Sequence, residues 1–296
     1  MHASETLFRG LFDDASLFPP ASLSMPEAVA GHLSHQAAWY GEMSGPFVCA
    51  AARIDALGIA LTAGNVAALD LAVVASAGAA DLQDAVDKIS ADPRLLLRAV
   101  EVSVALPPDQ PPGEARTLTA VTELVKVLDS TPLAGATAFV EIPLAELSGA
   151  ALTVMADHGY LAKLRTGGVT AAAFPGAQLL GSCLATLVEH RMAFKCTAGL
   201  HHAVRHAAED TGFEHHGFLN VLLGTATALA GADAAEVAMV LAELDGGSLA
   251  DQARQLGQDA TADMRGMFRS LGTCSTDEPV TDLVTLGLVS HDQADS

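Results

Sequence analysis

The chain has 296 residues, half of them hydrophobic, and carries a formal net charge of -20 at pH 7. So acidic a chain lacks the basic patch of a nucleic-acid-binding protein and is disfavoured at anionic membrane surfaces. No basic start followed by an apolar stretch opens the sequence, so we predict a cytoplasmic protein without a signal peptide, a nucleic-acid partner or a membrane partner.

From residue 46 onward, short apolar runs alternate with amphipathic stretches. The apolar runs are rich in Val, Ile, Phe or Ala, which is typical of strands buried on both faces of a parallel sheet. These predicted strands lie at 46–54, 69–75, 97–105, 136–142, 160–166 and 192–198. The predicted helices between them lie at 79–91, 114–128, 145–158 and 176–190.

This alternation predicts a parallel sheet with right-handed crossovers. A further early strand near 10–14 and a late one near 217–223 give the eight units of a (β/α)8 barrel. An open doubly wound sheet is the alternative, but no Gly-x-Gly-x-x-Gly turn follows a strand. We therefore predict an α/β fold, a single TIM-type (β/α)8 barrel over 1–272 with extra C-terminal helices over 233–271. A polar, loosely held tail is predicted over 273–296.

Lysine is scarce in this chain, and two of its four lysines, Lys163 and Lys195, lie within predicted strands. A lysine is seldom fully buried without a reason, because stripping water from an ammonium group is costly. Each of the two precedes by a few residues a glycine that ends its strand. This is the height at which the catalytic groups of a parallel barrel emerge.

A buried amine beside a second cation keeps part of its population neutral, and the neutral form attacks a carbonyl to make a Schiff base. Two carboxylates, Glu101 and Glu141, also lie inside predicted strands, where an acid can relay protons through water. The alternative is that these acids only form structural ion pairs with the lysines or with Arg165.

The stretch from Phe139 to Gly168 reads Phe-Val-Glu-Ile-Pro-Leu-Ala-Glu-Leu and later Lys-Leu-Arg-Thr-Gly-Gly. It resembles deoxyribose-phosphate aldolase, in which an acid-bearing strand before Glu-Leu is followed by a Lys-x-Ser-Thr-Gly strand. The next family motif, Lys-x-x-Gly-Gly, is similar to Lys195-Cys-Thr-Ala-Gly199. Val100-Glu-Val-Ser-Val is similar to the strand that bears the family's proton-relay aspartate, and Phe12-Asp-Asp-Ala-Ser-Leu17 to its opening strand. The resemblance spans residues 10–225, with no single motif intact.

The resemblance implies a class I aldolase, a lyase that makes or breaks a carbon–carbon bond next to the carbonyl of a small substrate, without a cofactor or metal. Lys163 would form the imine, Lys195 would depress its pKa, Glu101 would move protons and Asp13 would support that relay. The predicted substrate-binding residues are Arg165, Thr166, Gly167, Gly168, Thr197, Gly199, His201, His202, Asn220 and Glu141.

Two departures from the family pattern concern the substrate. Arg165 replaces the serine of the lysine motif and, two residues from Lys163, faces the same side of the strand. It either lowers the amine pKa further or binds an anionic substrate. The stretch Glu214-His-His-Gly-Phe-Leu-Asn220 lacks the serine pair of the family's phosphate cradle, so we expect the substrate not to be a standard sugar phosphate. Asn220, polar in an apolar run, is predicted to face the barrel mouth.

Six of the eleven histidines lie between residues 190 and 216. His202 and His206 are spaced i, i+4, so a metal-dependent lyase or hydrolase that uses the 201–216 histidines is one alternative. No His-Glu-x-x-His signature is present, and contact of His201 and His202 with substrate is the preferred interpretation. A further alternative is a non-catalytic barrel that binds a small ligand. Leu17–Pro20 and Trp39-Tyr40 are interpreted as core packing, with a lid or a homo-oligomer contact as their alternative.

Overall fold

A computed structural model describes residues 3–76, 79–107 and 109–291. In this part of the chain, eight parallel strands close into a barrel, in the order β1, β2, β3, β4, β5, β6, β7 and β10. Those strands are β1 (Phe12–Asp14), β2 (Ser44–Ala50), β3 (Leu69–Ala75), β4 (Leu95–Ser103), β5 (Thr137–Glu141), β6 (Leu161–Arg165), β7 (Phe194–Thr197) and β10 (Phe268–Thr273). A separate small antiparallel pair consists of β8 (His206–Ala207) and β9 (Glu214–His215).

Helices surround this barrel, as in other α/β barrels. They are α1 (Ala3–Phe8), α2 (Met25–Ala37), α3 (Ile54–Ala63), α4 (Ala79–Ala91), α5 (Glu114–Ser130), α6 (Gly149–Asp157), α7 (Ala177–Glu189), α8 (Phe218–Leu229), α9 (Ala234–Ala242), α10 (Gly246–Gln255), α11 (Gln258–Met267) and α12 (Asp277–Thr285). By length and composition, the stretch Ala171–Glu189 could cross a membrane. A core helix passes the same test, and α7 buries Leu180, Leu184 and Leu187 in the hydrophobic core.

The predicted barrel is confirmed, together with its extra C-terminal helices, but its eighth strand was misplaced. The run near 217–223 belongs to helix α8, where Phe218–Thr225 are all buried. A short apolar run buried on every side shows neither the helical nor the strand period, so its sequence is ambiguous. The eighth strand is β10, in a region predicted as helix, and it ends at Thr273.

The predicted polar tail over 273–296 was also wrong for the residues that the structure describes. Residues Asp277–Thr285 form helix α12, which buries Val280 and Leu283. Beyond it, Leu288 and Val289 join the same hydrophobic core. The chain after β10 therefore packs onto the barrel and is not a loose tail. It places the carboxylates of Glu278 and Asp282 beside the turn that follows β7, a region called the barrel rim below.

Side chains alternate between two regions along each strand, and this alternation positions the site. Leu71, Val100, Val102 and Val140 point outward and pack between the strands and the helices. A smaller apolar cluster inside the barrel contains Val48, Ala72, Ala99 and Phe139. Glu101 follows Ala99 by two residues and so faces the same interior. The barrel interior thus contains a small apolar cluster, and charged side chains such as Glu101 lie next to it, toward the carboxyl ends of the strands.

Candidate functional site

The two strand lysines lie side by side on neighbouring strands. In the register of the barrel, Lys163 of β6 is opposite Lys195 of β7, and Glu141 of β5 is opposite Lys163. Because side chains of directly paired residues point to the same face, all three enter the barrel interior together. Lys163 and Lys195 are only 3% and 1% exposed. Their strands therefore place two amines in one buried site.

Six charged side chains form a row of alternating sign through this site. Lys195 Nζ contacts Asp13 Oδ2 at 2.5 Å and also donates to Glu101 Oε1. Lys163 Nζ contacts the other oxygen of Glu101 at 2.8 Å and Glu141 Oε2 at 3.0 Å. The row ends at Arg165, whose Nε is 2.7 Å from Glu141 Oε1. The two lysines therefore share the carboxylate of Glu101. The sequence analysis considered ion pairs between these lysines and strand acids as an alternative to catalysis, and such pairs are present for both lysines.

Burial and ion pairing compete in setting the pKa values within the row. Burial alone would raise the pKa of Glu101, but the charges of Lys163 and Lys195 and their hydrogen bonds lower it to about 2. Burial would lower the pKa of Lys195, yet Asp13 and Glu101 outweigh it and raise that pKa. For Asp13, burial dominates and the pKa is raised despite Lys195 and Ser270. Glu101 is accordingly a carboxylate and Lys195 an ammonium at neutral pH.

Ser270 is a site residue that the sequence analysis missed. Its hydroxyl donates to Asp13 Oδ2 at 2.7 Å and so completes the inner end of the row. It lies on β10, a strand predicted as helix. The local signal was limited to Ser270-Leu-Gly272, where two small residues flank a buried leucine as inward positions flank an outward one in a strand.

Arg165 and Glu141 occupy the outer end of the row, at the last residues of β6 and β5. Glu141 is 11% exposed, whereas the Arg165 side chain is 49% exposed. Burial would raise the pKa of Glu141, but Lys163 and Arg165 lower it. Arg165 is thus the member of the row that solvent and small molecules can reach most readily.

The glycine-containing turns after β6 and β7 pack directly against each other. The backbone of Gly199 has a φ of +77°, and a Cβ at Gly167 would come 2.8 Å from Gly199 Cα. Thr166 is fully buried and its hydroxyl donates to Ala198 O at 2.6 Å. Thr166 therefore joins the two turns, and its hydroxyl proton is used in a hydrogen bond to backbone. Gly168 lies on the same turn, and Thr197 is opposite Arg165 in the sheet register.

His201 and His202 pack against α12 and not against the charged row. His201 Nδ1 is 3.2 Å from Glu278 Oε2, and His202 Nδ1 is 3.1 Å from Asp282 Oδ2. The hydrogen bond to Asp282 raises the pKa of His202, whereas burial lowers that of His201. A cavity of about 360 Å³ opens beside His202, lined also by Arg205, His206 and Asp282. These histidines hold the turn after β7 against α12 through Glu278 and Asp282. Both acids lie in the stretch that the sequence analysis predicted as a loosely held tail.

Asn220 does not face the barrel mouth, which corrects the prediction from the sequence. It is fully buried on α8, its Oδ1 accepts from Arg205 N at 2.9 Å, and its Nδ2 donates to Val240 O and Glu243 O. All the polar atoms of its side chain are thus engaged with backbone. A buried amide must find such partners, so the single polar residue of the apolar run has a structural role.

The metal alternative gains no support from geometry. Within residues 3–76, 79–107 and 109–291, no group of three or more His, Cys, Asp or Glu side chains is arranged to hold a metal ion. His202 and His206 contact each other edge to face, with ring centroids 4.6 Å apart, and do not point both rings at one position. The i, i+4 spacing failed as a guide because these residues lie in a turn and in β8, not on a helix.

Comparisons with known proteins add no assignment. No protein-family model matches the chain, and no curated protein matches it. The functional argument therefore depends on the barrel fold and on the geometry of the charged row.

Proposed function

We propose that this barrel is a class I aldolase-like lyase that makes or breaks a carbon–carbon bond next to a carbonyl group through a Schiff base on Lys163. One observation carries the proposal: two buried amines, on adjacent strands, share the carboxylate of Glu101. A structural ion pair needs one amine for one acid, whereas imine chemistry needs a second cation and proton carriers around the reacting amine. The α/β barrel is a fold in which such sites occur at the strand ends.

Lys163 is the better nucleophile of the two lysines. Lys195 is held between Asp13 and Glu101, and its raised pKa keeps it protonated. Lys163 also lies between two acids, Glu101 and Glu141, but Glu141 belongs to the outer end of the row beside the exposed Arg165. A carbonyl compound that enters from the strand ends reaches Lys163 before Lys195.

The row also provides for the proton transfers. The nitrogen lone pair of Lys163 attacks the carbonyl carbon as one of its protons passes through the Glu141 carboxylate to the carbonyl oxygen. A second amine proton follows to that oxygen, which leaves as water and yields the iminium. The bond between the α and β carbons then breaks: its electrons form the enamine, while the β-hydroxyl loses its proton to Glu141 and becomes the carbonyl group of the departing aldehyde. Protonation of the enamine carbon and addition of water release the second carbonyl product and regenerate the amine. Glu101, with a pKa of about 2, stays ionised and stabilises the cationic iminium.

Borohydride trapping tests this proposal directly. The protein is incubated with a panel of small aldehydes and ketones, reduced with borohydride, digested and analysed by mass spectrometry. We expect one adduct per chain on the peptide that contains Lys163, because reduction fixes only an imine. The exposed Lys126 and Lys88 are internal controls for non-specific reaction.

Two matched variants complete the test. Lys163→Met should abolish the specific adduct, whereas Lys126→Met should leave it unchanged. If no carbonyl compound in the panel modifies Lys163 above the level of Lys126, the lyase proposal is rejected. That result would favour the alternative of a barrel that binds a small ligand without catalysis.

A further inference from the structure

The guanidinium group of Arg165 presents an unused edge to the barrel mouth. Its Nε and Nη2 donate to the two oxygens of Glu141, at 2.7 and 3.3 Å. Among the described residues, its Nη1 has no hydrogen-bond partner, and about half of the side chain is exposed. A guanidinium can bind one carboxylate along each edge, because its donors are fixed in a planar fork. Glu141 therefore orients Arg165 without using all of its donors.

The order of charges along the row indicates what this free edge binds. From the inside outward, the groups are Asp13, Lys195, Glu101, Lys163, Glu141 and Arg165, so acids and bases alternate without a break. The last group is a cation that faces the mouth. An anion is the group that would continue this alternation.

The anion and the carbonyl must belong to one small molecule. Lys163 Nζ and Arg165 Nη2 both contact the same atom, Glu141 Oε2, at 3.0 and 3.3 Å. A ligand that meets the Lys163 amine with its carbonyl carbon therefore has its anionic group within a few bonds. A carboxylate fits better than a phosphate monoester, because it matches the two-donor edge and adds a single negative charge beside Glu141.

We propose that the substrate is a short oxo carboxylic acid, whose carboxylate binds the free Nη1–Nη2 edge of Arg165 while its carbonyl carbon meets Lys163. This inference rests on the proposed lyase function and names its substrate class. Arg165 is then the specificity-determining residue, and Glu141 positions its guanidinium. The serine that the aldolase resemblance leads one to expect at this position would lack both the charge and the fork.

The test compares two probes that differ at one group. Pyruvate and hydroxyacetone are alike except that a carboxylate in the first replaces a hydroxymethyl in the second. We expect wild-type protein to form the borohydride-reduced Lys163 adduct faster with pyruvate. Arg165→Gln should reduce the pyruvate-to-hydroxyacetone rate ratio by about 10- to 100-fold, as expected for the loss of charge-assisted hydrogen bonds. Arg165→Lys, which keeps the charge but loses the fork, should give a smaller reduction.

Arg98→Gln is the matched control. Arg98 also lies on a barrel strand, is 55% exposed and pairs with an acid of the neighbouring strand, Asp70 at 2.8 Å. It lies outside the charged row, so its loss should leave the rate ratio unchanged. An equal effect of Arg98→Gln and Arg165→Gln would mean that net charge alone is responsible, and would overturn the inference.

The failure of this inference is distinguishable from failure of the lyase proposal. If Lys163 is trapped equally well with both probes in wild type and in Arg165→Gln, the lyase proposal stands and the oxo-acid substrate is rejected. Calorimetric titration with lactate, which has the carboxylate but no carbonyl, measures anion binding without an imine. Weaker lactate binding by Arg165→Gln supports the role of Arg165, and equal binding contradicts it.

Discussion

The barrel interior and the barrel rim both contain acid–base pairs, but water reaches only one of the two regions. In the interior, Lys195 and Glu101 are 1% and 2% exposed, and each contacts two groups of opposite charge. At the rim, His202 and Asp282 are 43% and 29% exposed and form a single pair. Where water is excluded, each charge depends on its protein neighbours, so changes in the interior should cost far more than changes at the rim.

Lys195→Met should give the largest effect on stability. It removes the cation between Asp13 and Glu101 and leaves two buried carboxylates with reduced compensation. We expect a loss of about 3–5 kcal/mol in the free energy of unfolding, the range for breaking a buried ion pair. Urea denaturation monitored by circular dichroism measures this loss.

The double variant Asp13→Asn, Lys195→Met serves as the control, because it removes one charge of each sign. It should recover part of the loss, since Asp13 is then neutral. Lys126→Met, on an exposed surface pair, should change the free energy of unfolding by less than about 1 kcal/mol. If Lys195→Met is no more destabilising than Lys126→Met, the interior row is not the buried network described above.

The barrel was predictable because parallel strands buried on both faces give repeated apolar runs, and β3 over Leu69–Ala75 matches its prediction residue for residue. Helix α8 and strand β10 were not predictable in the same way. The first is buried on all sides and shows no helical period, and the second carries inward polar residues, as in Ser270. Burial that depends on distant segments leaves little trace in local sequence.

The candidate site, like the fold, was predictable from the sequence only in part. Glu101, Lys163 and Lys195 were identified from charges placed within apolar strands, Asp13 came from the aldolase resemblance, and the structure brings all four together. Asn220 was misassigned by the same reasoning, since a polar residue in an apolar run also arises when it satisfies buried backbone groups. A single sequence cannot separate these two causes, because the partners of Asn220 belong to the C-terminal end of α9 and to the turn after β7.

Glu101→Gln should weaken the acid sensitivity of the protein. The pKa of Glu101 is about 2 in the folded protein, against an ordinary value of 4.5 for a glutamate. The lowered pKa stabilises the fold above pH 4.5, and this contribution disappears as the pH falls toward 2. The difference corresponds to about 3–4 kcal/mol, because each pKa unit is worth about 1.4 kcal/mol.

The measurement is the free energy of unfolding as a function of pH between 5 and 2, for wild type and for Glu101→Gln. Asp13 acts in the opposite direction, because its raised pKa favours the folded state when it is protonated. The variant keeps Asp13, but loss of the Glu101 charge removes one of the causes that raise the pKa of Asp13. The difference between the two curves therefore measures Glu101 together with its coupling to Asp13. Parallel curves would show that Glu101 does not carry the acid dependence of the interior.

Asp282→Asn should have the smallest effect and thereby separate the rim from the interior. The hydrogen bond to Asp282 raises the pKa of His202, so the pair stabilises the fold below the unfolded value of 6.5 and loses this contribution as the pH rises through the raised value. Because the pair is partly exposed and screened by water, we expect a loss below about 1 kcal/mol. Thermal denaturation at pH 6 and pH 8 measures it, with Glu278→Gln beside His201 as the matched rim variant. A loss at pH 6 as large as that of Lys195→Met would mean that the rim pair is as tightly coupled to the fold as the interior row, and exposure would then not be what distinguishes the two regions.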